Sequence, residues 1–106
     1  MTILKSTFQQ AISDYCDYLE VDAKDIFGKC RLRKYVKYRH AFYYILRETF
    51  DLTLSEISEI TNFSEECNRH HTTILNGINN VHNELMYNEM NDIVIKMRNF
   101  FHSKLV

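Results

Sequence analysis

Apolar side chains recur every three to four residues along most of this chain, which is the period of an amphipathic α-helix. The pattern predicts a first helix over about residues 7–20, and Ser6 and Gln9 have the spacing of a capping box at its start. Asp22 can cap a short second helix that turns two apolar residues inward. Gly28 is then expected to end this helix in a left-handed conformation.

The second half of the chain continues the helical period. A third helix, over about residues 37–50, is expected to be the core helix. Three of its side chains are expected nearer to solvent: Tyr43, Arg47 and Glu48. Thr53 and Glu56 have capping-box spacing and predict a short fourth helix. Two further helices are predicted over about residues 69–85 and 89–104. The first of these should bury Ile74, Leu75, Ile78, Val81 and Leu85.

The composition agrees with an all-α fold. The chain has no proline and two glycines in 106 residues, so it lacks the turn residues that sheets and hairpins usually need. A chain of this length can bury roughly 60–68% of its unfolded surface in one core. We therefore expect a single, compact six-helix domain over residues 1–106.

The sequence suggests a protein that stays inside the cell. Its first ten residues contain no apolar run of signal-peptide length, and no stretch of 18 uncharged apolar residues predicts a membrane span. The expected location is the cytoplasm, close to the nucleoid, or the host cytoplasm if a phage carries the sequence. No membrane contact is expected.

Neither a metal site nor catalysis is predicted. The three cysteines, Cys16, Cys30 and Cys67, are an odd number and lie far apart, which favours reduced thiols. Cys67, His70 and His71 are zinc-ligand types close together, but nearby residues supply no fourth ligand. The chain also has no nucleophile motif. We expect no enzyme activity and no cofactor.

The charges are distributed unevenly. The chain has a net charge of −1, but residues 29–40 contain six cationic side chains and no acid. Because these six are among 13 cations in all, the remainder carries seven cations against 14 acids. The basic segment consists of Lys29, Arg31, Arg33, Lys34, Lys37 and Arg39. Such a strip is a candidate site for a polyanion. Tyr35 and Tyr38, which lie within it, can stack on sugars or bases, but anchoring to the core is the favoured interpretation.

A basic segment followed by two successive helices, the second with a polar start, is typical of a helix-turn-helix DNA-binding domain. Lysine and arginine neutralise phosphates and provide affinity without sequence information. Side chains at the start of the second helix can reach base edges in the major groove. The predicted partner is therefore double-stranded DNA.

Two segments resemble the C-terminal DNA-binding domain of the bacterial replication initiator DnaA. Residues 25–58 (DIFGKCRLRKYVKYRHAFYYILRETFDLTLSEIS) are similar, without a gap, to its basic loop and following helices, and residues 69–75 (RHHTTIL) are similar to its signature motif. The likeness extends over about residues 8–85. It implies a helix-turn-helix of the Trp-repressor-like kind that binds DNA as a monomer.

The resemblance implies specific residue roles. Arg31 corresponds to an arginine that enters the minor groove, and Arg39 to one beside the DNA backbone. His71, Thr72 and Thr73 correspond to the residues that read the major groove. The other candidate DNA-binding residues are Lys29, Arg33, Lys34, Lys37, Ser55, Arg69 and His70.

The sequence also departs from the family pattern. His70 replaces a base-reading aspartate, and Asn79 and Asn80 replace a basic pair. The turn between the two reading helices is about five residues longer and brings in Glu65 and Glu66. The nucleotide-binding half of the initiator is not expected among these 106 residues, because they contain no glycine-rich phosphate loop.

Two functions fit these features. The first is sequence-specific DNA binding in the regulation of replication or transcription, with a replication or transcription protein as a further candidate partner. The second is a protein interaction module that kept the helix-turn-helix scaffold and lost DNA binding, which the acidic remainder favours.

Overall fold

The computed structural model describes residues 2–28, 32–63 and 70–105, and these residues form six helices and no strand. The helices are α1 (Thr2–Tyr18), α2 (Ala23–Phe27), α3 (Arg33–Glu48), α4 (Leu54–Ile60), α5 (His71–Glu84) and α6 (Asn88–Leu105). The predicted all-α class is therefore confirmed. None of the described helices is long and apolar enough to cross a membrane.

Helix α3 is the centre of the molecule, as its sequence pattern predicts. It packs against α2, α4, α5 and α6, and all six residues over 41–46 are buried. Over residues 41–46 the helix is covered on every side, so this part of it has no solvent-facing stripe. For this reason the expectation that Tyr43 lies near solvent is wrong, since its exposed fraction is 0%.

Aromatic side chains join the other helices to α3. The Phe42 ring of α3 lies 5.9 Å from Tyr15 of α1, 5.3 Å from Phe27 of α2 and 6.0 Å from Phe101 of α6, measured between ring centroids. Tilted and edge-on pairs at such distances are favourable beyond the area they bury. Helix α6 therefore belongs to the same hydrophobic core as α1, α2 and α3.

The two predicted helix caps that the structure bears out lie at the starts of α2 and α4. Asp22 accepts a hydrogen bond from the Lys24 amide at 3.0 Å. At α4, the Thr53 hydroxyl accepts from the Glu56 amide at 3.1 Å, and the Glu56 carboxylate accepts from the Thr53 amide at 2.9 Å. The hydrogen bond from the Thr53 backbone lowers the pKa of Glu56. These bonds supply partners for amides that a helix start leaves free.

Two expected helix ends differ from the structure. Helix α1 already begins at Thr2, so Ser6 and Gln9 lie inside it and form no capping box; the Gln9 amide instead donates to the Ile60 carbonyl at 3.1 Å. Gly28 has φ −81° and ψ −155°, which is extended and not left-handed. Crowding explains why residue 28 is a glycine, because a Cβ there would lie 2.5 Å from the Lys24 carbonyl oxygen.

Helix α5 buries one narrow stripe. Ile74, Gly77, Ile78 and Val81 are buried, and this spacing defines a single face of the helix. The prediction that Leu75 belongs to the buried face is wrong, because Leu75 falls outside the stripe and is 44% exposed.

Cys16 is a free, buried thiol in α1. Burial raises its pKa to about 12, with smaller contributions from Asp17 and Asp22. The thiol therefore stays protonated at neutral pH and is a poor nucleophile. Cys30 and Cys67 lie outside the described residues.

Candidate nucleic-acid interface

Four of the six cations of the basic segment lie on the first two turns of α3. The sequence predicted a loop up to about residue 37, but α3 begins at Arg33, so Arg33, Lys34 and Lys37 are helical. Arg33 and Lys34 are exposed, and together with Lys37 they line a cleft of about 420 Å³ beside α6. We call these three residues the basic start of α3. Lys29 and Arg31 lie outside the described residues.

Arg39 points inward. Its Nε donates to the Ile26 carbonyl at 2.6 Å and its Nη2 donates to the Gly28 carbonyl at 3.1 Å, and the residue is only 7% exposed. The expectation that Arg39 meets the DNA backbone directly does not match this placement, because the guanidinium is directed at backbone carbonyls inside the protein. Arg39 instead holds the end of α2 in place through these two hydrogen bonds.

The two tyrosines of the basic segment are anchors. Tyr35 and Tyr38 are partly buried and pack against the hydrophobic core. This placement agrees with the favoured interpretation from the sequence. The tyrosines hold α3 by its apolar side and leave Arg33 and Lys34 free to face solvent.

The start of α5 is an exposed polar tip. His70, His71, Thr72 and Thr73 are all exposed, and the next residue, Ile74, is fully buried. His70 is the N-cap residue, with φ −69° and ψ 152°, and its side chain accepts no capping hydrogen bond. We call residues 70–73 the α5 tip. Arg69 lies outside the described residues.

Ser55 connects α4 to this tip. Its hydroxyl lies 3.5 Å from Nε2 of His71, and both residues are exposed. The contact is at the long end of hydrogen-bond geometry, so it restrains the imidazole only weakly. It nevertheless places Ser55, a candidate from the sequence, on the same surface as the α5 tip.

Helices α3 and α5 run in the same direction. A Cβ added at Gly77 would lie 2.8 Å from Cδ2 of His40, so the two backbones approach closely there. Farther along both helices, the Tyr44 and His82 rings are 5.0 Å apart, and Nε2 of His82 lies 3.2 Å from Oε1 of Glu48. Since these contacts follow the same order along both helices, α3 and α5 begin at the same end of the pair. The basic start of α3 and the α5 tip are thus brought to one end of the molecule.

Two described residues that precede the segments 29–31 and 64–69, Phe27 and Phe63, lie close together. The rings of Phe27 and Phe63 are stacked with centroids 5.6 Å apart and an angle of 14°. Residues 29–31 follow Phe27 and Gly28 in the chain, and residues 64–69 follow Phe63. Glu65 and Glu66 belong to the second of these segments and lie outside the described residues.

Within the three described ranges, no group of three or more His, Cys, Asp or Glu residues could hold a metal ion. Cys67, which belongs to the weak zinc candidate, is not among these residues.

One charged residue of this surface escaped the sequence analysis. Glu89, in the first turn of α6, places Oε1 2.7 Å from Nζ of Lys37. The two residues are 52 positions apart, and no local pattern connects them. A basic segment without acids in the sequence therefore has one carboxylate beside it in space.

The fold and this surface define an all-helical helix-turn-helix domain with a cationic strip at the end where α5 begins. Residues 9–81 match the family described as the bacterial dnaA protein helix-turn-helix, and the chain belongs to that family. This match confirms the resemblance found in the sequence and implies DNA binding in general. The last part of α5 and all of α6 lie beyond the matched residues. Searches among curated proteins and among solved structures find no match to the chain.

Proposed function

We propose that this protein binds double-stranded DNA sequence-specifically, as a monomer, through two neighbouring surfaces. The basic loop and the basic start of α3 bind phosphates and the minor groove. The α5 tip enters the adjacent major groove. The observation that carries the proposal is the shared direction of α3 and α5, which brings an exposed cationic helix start and an exposed polar helix start to one end of the molecule.

The two surfaces have different tasks in this proposal. Cations near phosphates release counterions and provide affinity for every sequence, a task for Lys29, Arg33 and Lys34. Arg31 is proposed to enter the minor groove, as the family resemblance implies. The basic start of α3 thus positions the protein on the duplex, because phosphate contacts carry no direct sequence information.

The α5 tip provides base recognition. The major groove is about 12 Å wide and an α-helix with its side chains is about 10–12 Å across, so a helix start with short side chains can enter it. His71, Thr72 and Thr73 are proposed to contact base edges. His70 stands where the family reads a base with aspartate, so we expect a base preference that differs from that of the family.

We infer that the process served is the regulation of replication or transcription. Such a domain can occupy a promoter, mark an origin or compete for initiator sites, and a replication or transcription protein is the expected further partner. The cytoplasm, either of a bacterium or of a phage host, is where this DNA is found.

Selection from a random duplex pool, followed by a salt titration on the selected duplex, tests the proposal. We expect one enriched, non-palindromic site, because a monomer has no twofold axis. The logarithm of the affinity should fall linearly with the logarithm of the salt concentration. If the pool yields no enriched site and no salt-dependent binding, the interaction module becomes the better description.

A further inference from the structure

The carboxylate of Glu89, in α6, lies beside the basic start of α3. Its Oε1 is 2.7 Å from Nζ of Lys37, and Glu89, Lys37, Arg33 and Lys34 line the same cleft. The hydrogen bond and the charge of Lys37 lower the pKa of Glu89, and the charge of Arg33 lowers it further. Glu89 is therefore ionised at neutral pH and occupies an anion position among three cations.

The two members of this ion pair differ in freedom. The Lys37 side chain is 15% exposed, whereas that of Glu89 is 68% exposed. The Lys37 side chain is confined between α3 and α6, which fixes the position of its ammonium group. The Glu89 carboxylate reaches this ammonium group from the solvent side and can move away without disturbing the core.

We propose that Glu89 is a negative determinant of DNA affinity, because its carboxylate occupies at Lys37 the position that a DNA phosphate would take. This inference rests on the proposed function. A phosphate can bind Lys37 only after Glu89 has moved away, and the carboxylate repels phosphates as long as it stays. As long as the carboxylate stays at Lys37, the protein therefore makes about one phosphate contact fewer, and this loss is the same for every DNA sequence.

The proposed effect depends on the position of the Glu89 carboxylate and not on the net charge of the protein. Asp92 lies three residues later on α6 and also carries one negative charge, but it pairs with Lys96 of its own helix at 3.0 Å. Both side chains of that pair are well exposed, and neither lines the cleft. Asp92 therefore offers a matched control, since Asp92→Asn removes the same charge from the same helix.

The test compares Glu89→Gln, Glu89→Ala and Asp92→Asn in the full chain. Each variant is titrated with salt against the selected duplex and against a scrambled duplex. Freeing Lys37 should steepen the salt slope by about 0.9, the value for one phosphate on B-DNA. The affinity gain should then shrink about 3.5-fold between about 50 and about 200 mM salt. The gain should be equal on both duplexes, and Asp92→Asn should leave the slope unchanged.

A double-mutant cycle attributes the gain to Lys37. Lys37→Gln should change the affinity of the parent only slightly, because Glu89 already neutralises this lysine. The same substitution should abolish the whole gain of Glu89→Gln. A gain that survives Lys37→Gln would assign the effect to general charge and overturn the proposal.

Elution from immobilised heparin, a sulfated polyanion, separates the masking of Lys37 by Glu89 from the proposed binding of DNA. The measured quantity is the salt concentration that elutes each variant. We expect both Glu89 variants to elute later than the parent and Asp92→Asn to elute with it. Unchanged or weaker binding of DNA and heparin by the Glu89 variants would mean that Glu89 holds Lys37 in its binding position, and the inference fails. If the parent binds no duplex while the heparin order holds, the proposed function fails and Glu89 still masks Lys37.

Discussion

The basic start of α3 and the α5 tip begin at the same end of the molecule, but they differ in chemistry and in support. Arg33, Lys34 and Lys37 carry three positive charges, and Lys37 is paired with a carboxylate of α6. The α5 tip contains hydroxyls and imidazoles, and its contact with α4 is the 3.5 Å approach of Ser55 to His71. One region is suited to phosphates and the other to bases. If the proposed function is right, we therefore expect affinity and base preference to change independently.

The helix starts also differ in whether the N-cap side chain accepts a hydrogen bond from an amide of the first turn. Helices α2 and α4 begin with Asp22 and Thr53, whose side chains accept amides of the first turn. Helices α3 and α5 begin with Leu32 and His70, whose side chains accept none. Amides at an uncapped helix start are suited to donate hydrogen bonds to anions such as phosphate. Both helices of the proposed DNA surface thus have N-cap side chains that accept no capping hydrogen bond.

The largest expected effect comes from separating α3 from α5. Gly77→Leu places a large side chain where even a Cβ would lie 2.8 Å from His40 and 3.1 Å from Tyr43. Overpacking of this kind should lower the free energy of unfolding by about 3 kcal/mol, measured by urea denaturation. Asn83→Leu, on the exposed side of the same helix, should change it by less than about 0.5 kcal/mol. Equal stability of the two variants would contradict the close approach at Gly77.

Arg39→Met tests how the basic start of α3 is supported. The substitution removes the donors to the Ile26 and Gly28 carbonyls and should lower the free energy of unfolding by about 2–3 kcal/mol. Arg47→Met is the matched control, because Arg47 donates one hydrogen bond, to the Leu52 carbonyl, in a less buried place. It should cost about 1 kcal/mol. Unchanged stability of Arg39→Met, together with a shallower salt slope, would instead assign Arg39 to the DNA backbone.

Thr72→Ala tests the α5 tip alone. Losing one base contact should weaken binding to the selected duplex by about 2 kcal/mol and leave binding to a scrambled duplex unchanged. The salt slope should stay the same, because threonine carries no charge. Fluorescence anisotropy with both duplexes measures these quantities. A loss of equal size on both duplexes would remove Thr72 from the base-reading residues.

The smallest expected effect is that of Lys34→Ala at the basic start of α3. We expect a loss of about 1 kcal/mol on every duplex and a salt slope shallower by about 1. Lys96→Ala removes the same charge from the distant Asp92 pair and should leave the slope as it is. If Lys34→Ala changed the base preference instead, charge and identity would not be separate in this protein.

Much of the fold was predictable from local patterns. The capping box of Thr53 and Glu56 and the cap at Asp22 depend on residues within three positions of each other, so the sequence contains all that they need. The exposed polar start of α5 follows in the same way from the order of polar and apolar residues. The start of α1 was not predictable from its cap, because Thr2 begins the helix ahead of a Ser6 and Gln9 pair with the right spacing.

The candidate site was predictable in its residue types but not in its contacts. The sequence identified the cations of the basic start of α3 and the residues of the α5 tip. It did not reveal that Arg39 turns toward the carbonyls at the end of α2 or that Glu89 reaches Lys37. Both contacts join residues that belong to different helices.

By itself, the sequence determined which segments form helices, where the cations concentrate and which family the chain resembles, because helical period, caps and charge runs are properties of neighbouring residues. The tertiary structure alone decided that Tyr43 is enclosed, that Arg39 faces inward, and that the starts of α3 and α5 share one end. Burial and direction depend on what packs from other helices on every side. That information lies in contacts between residues far apart in the chain.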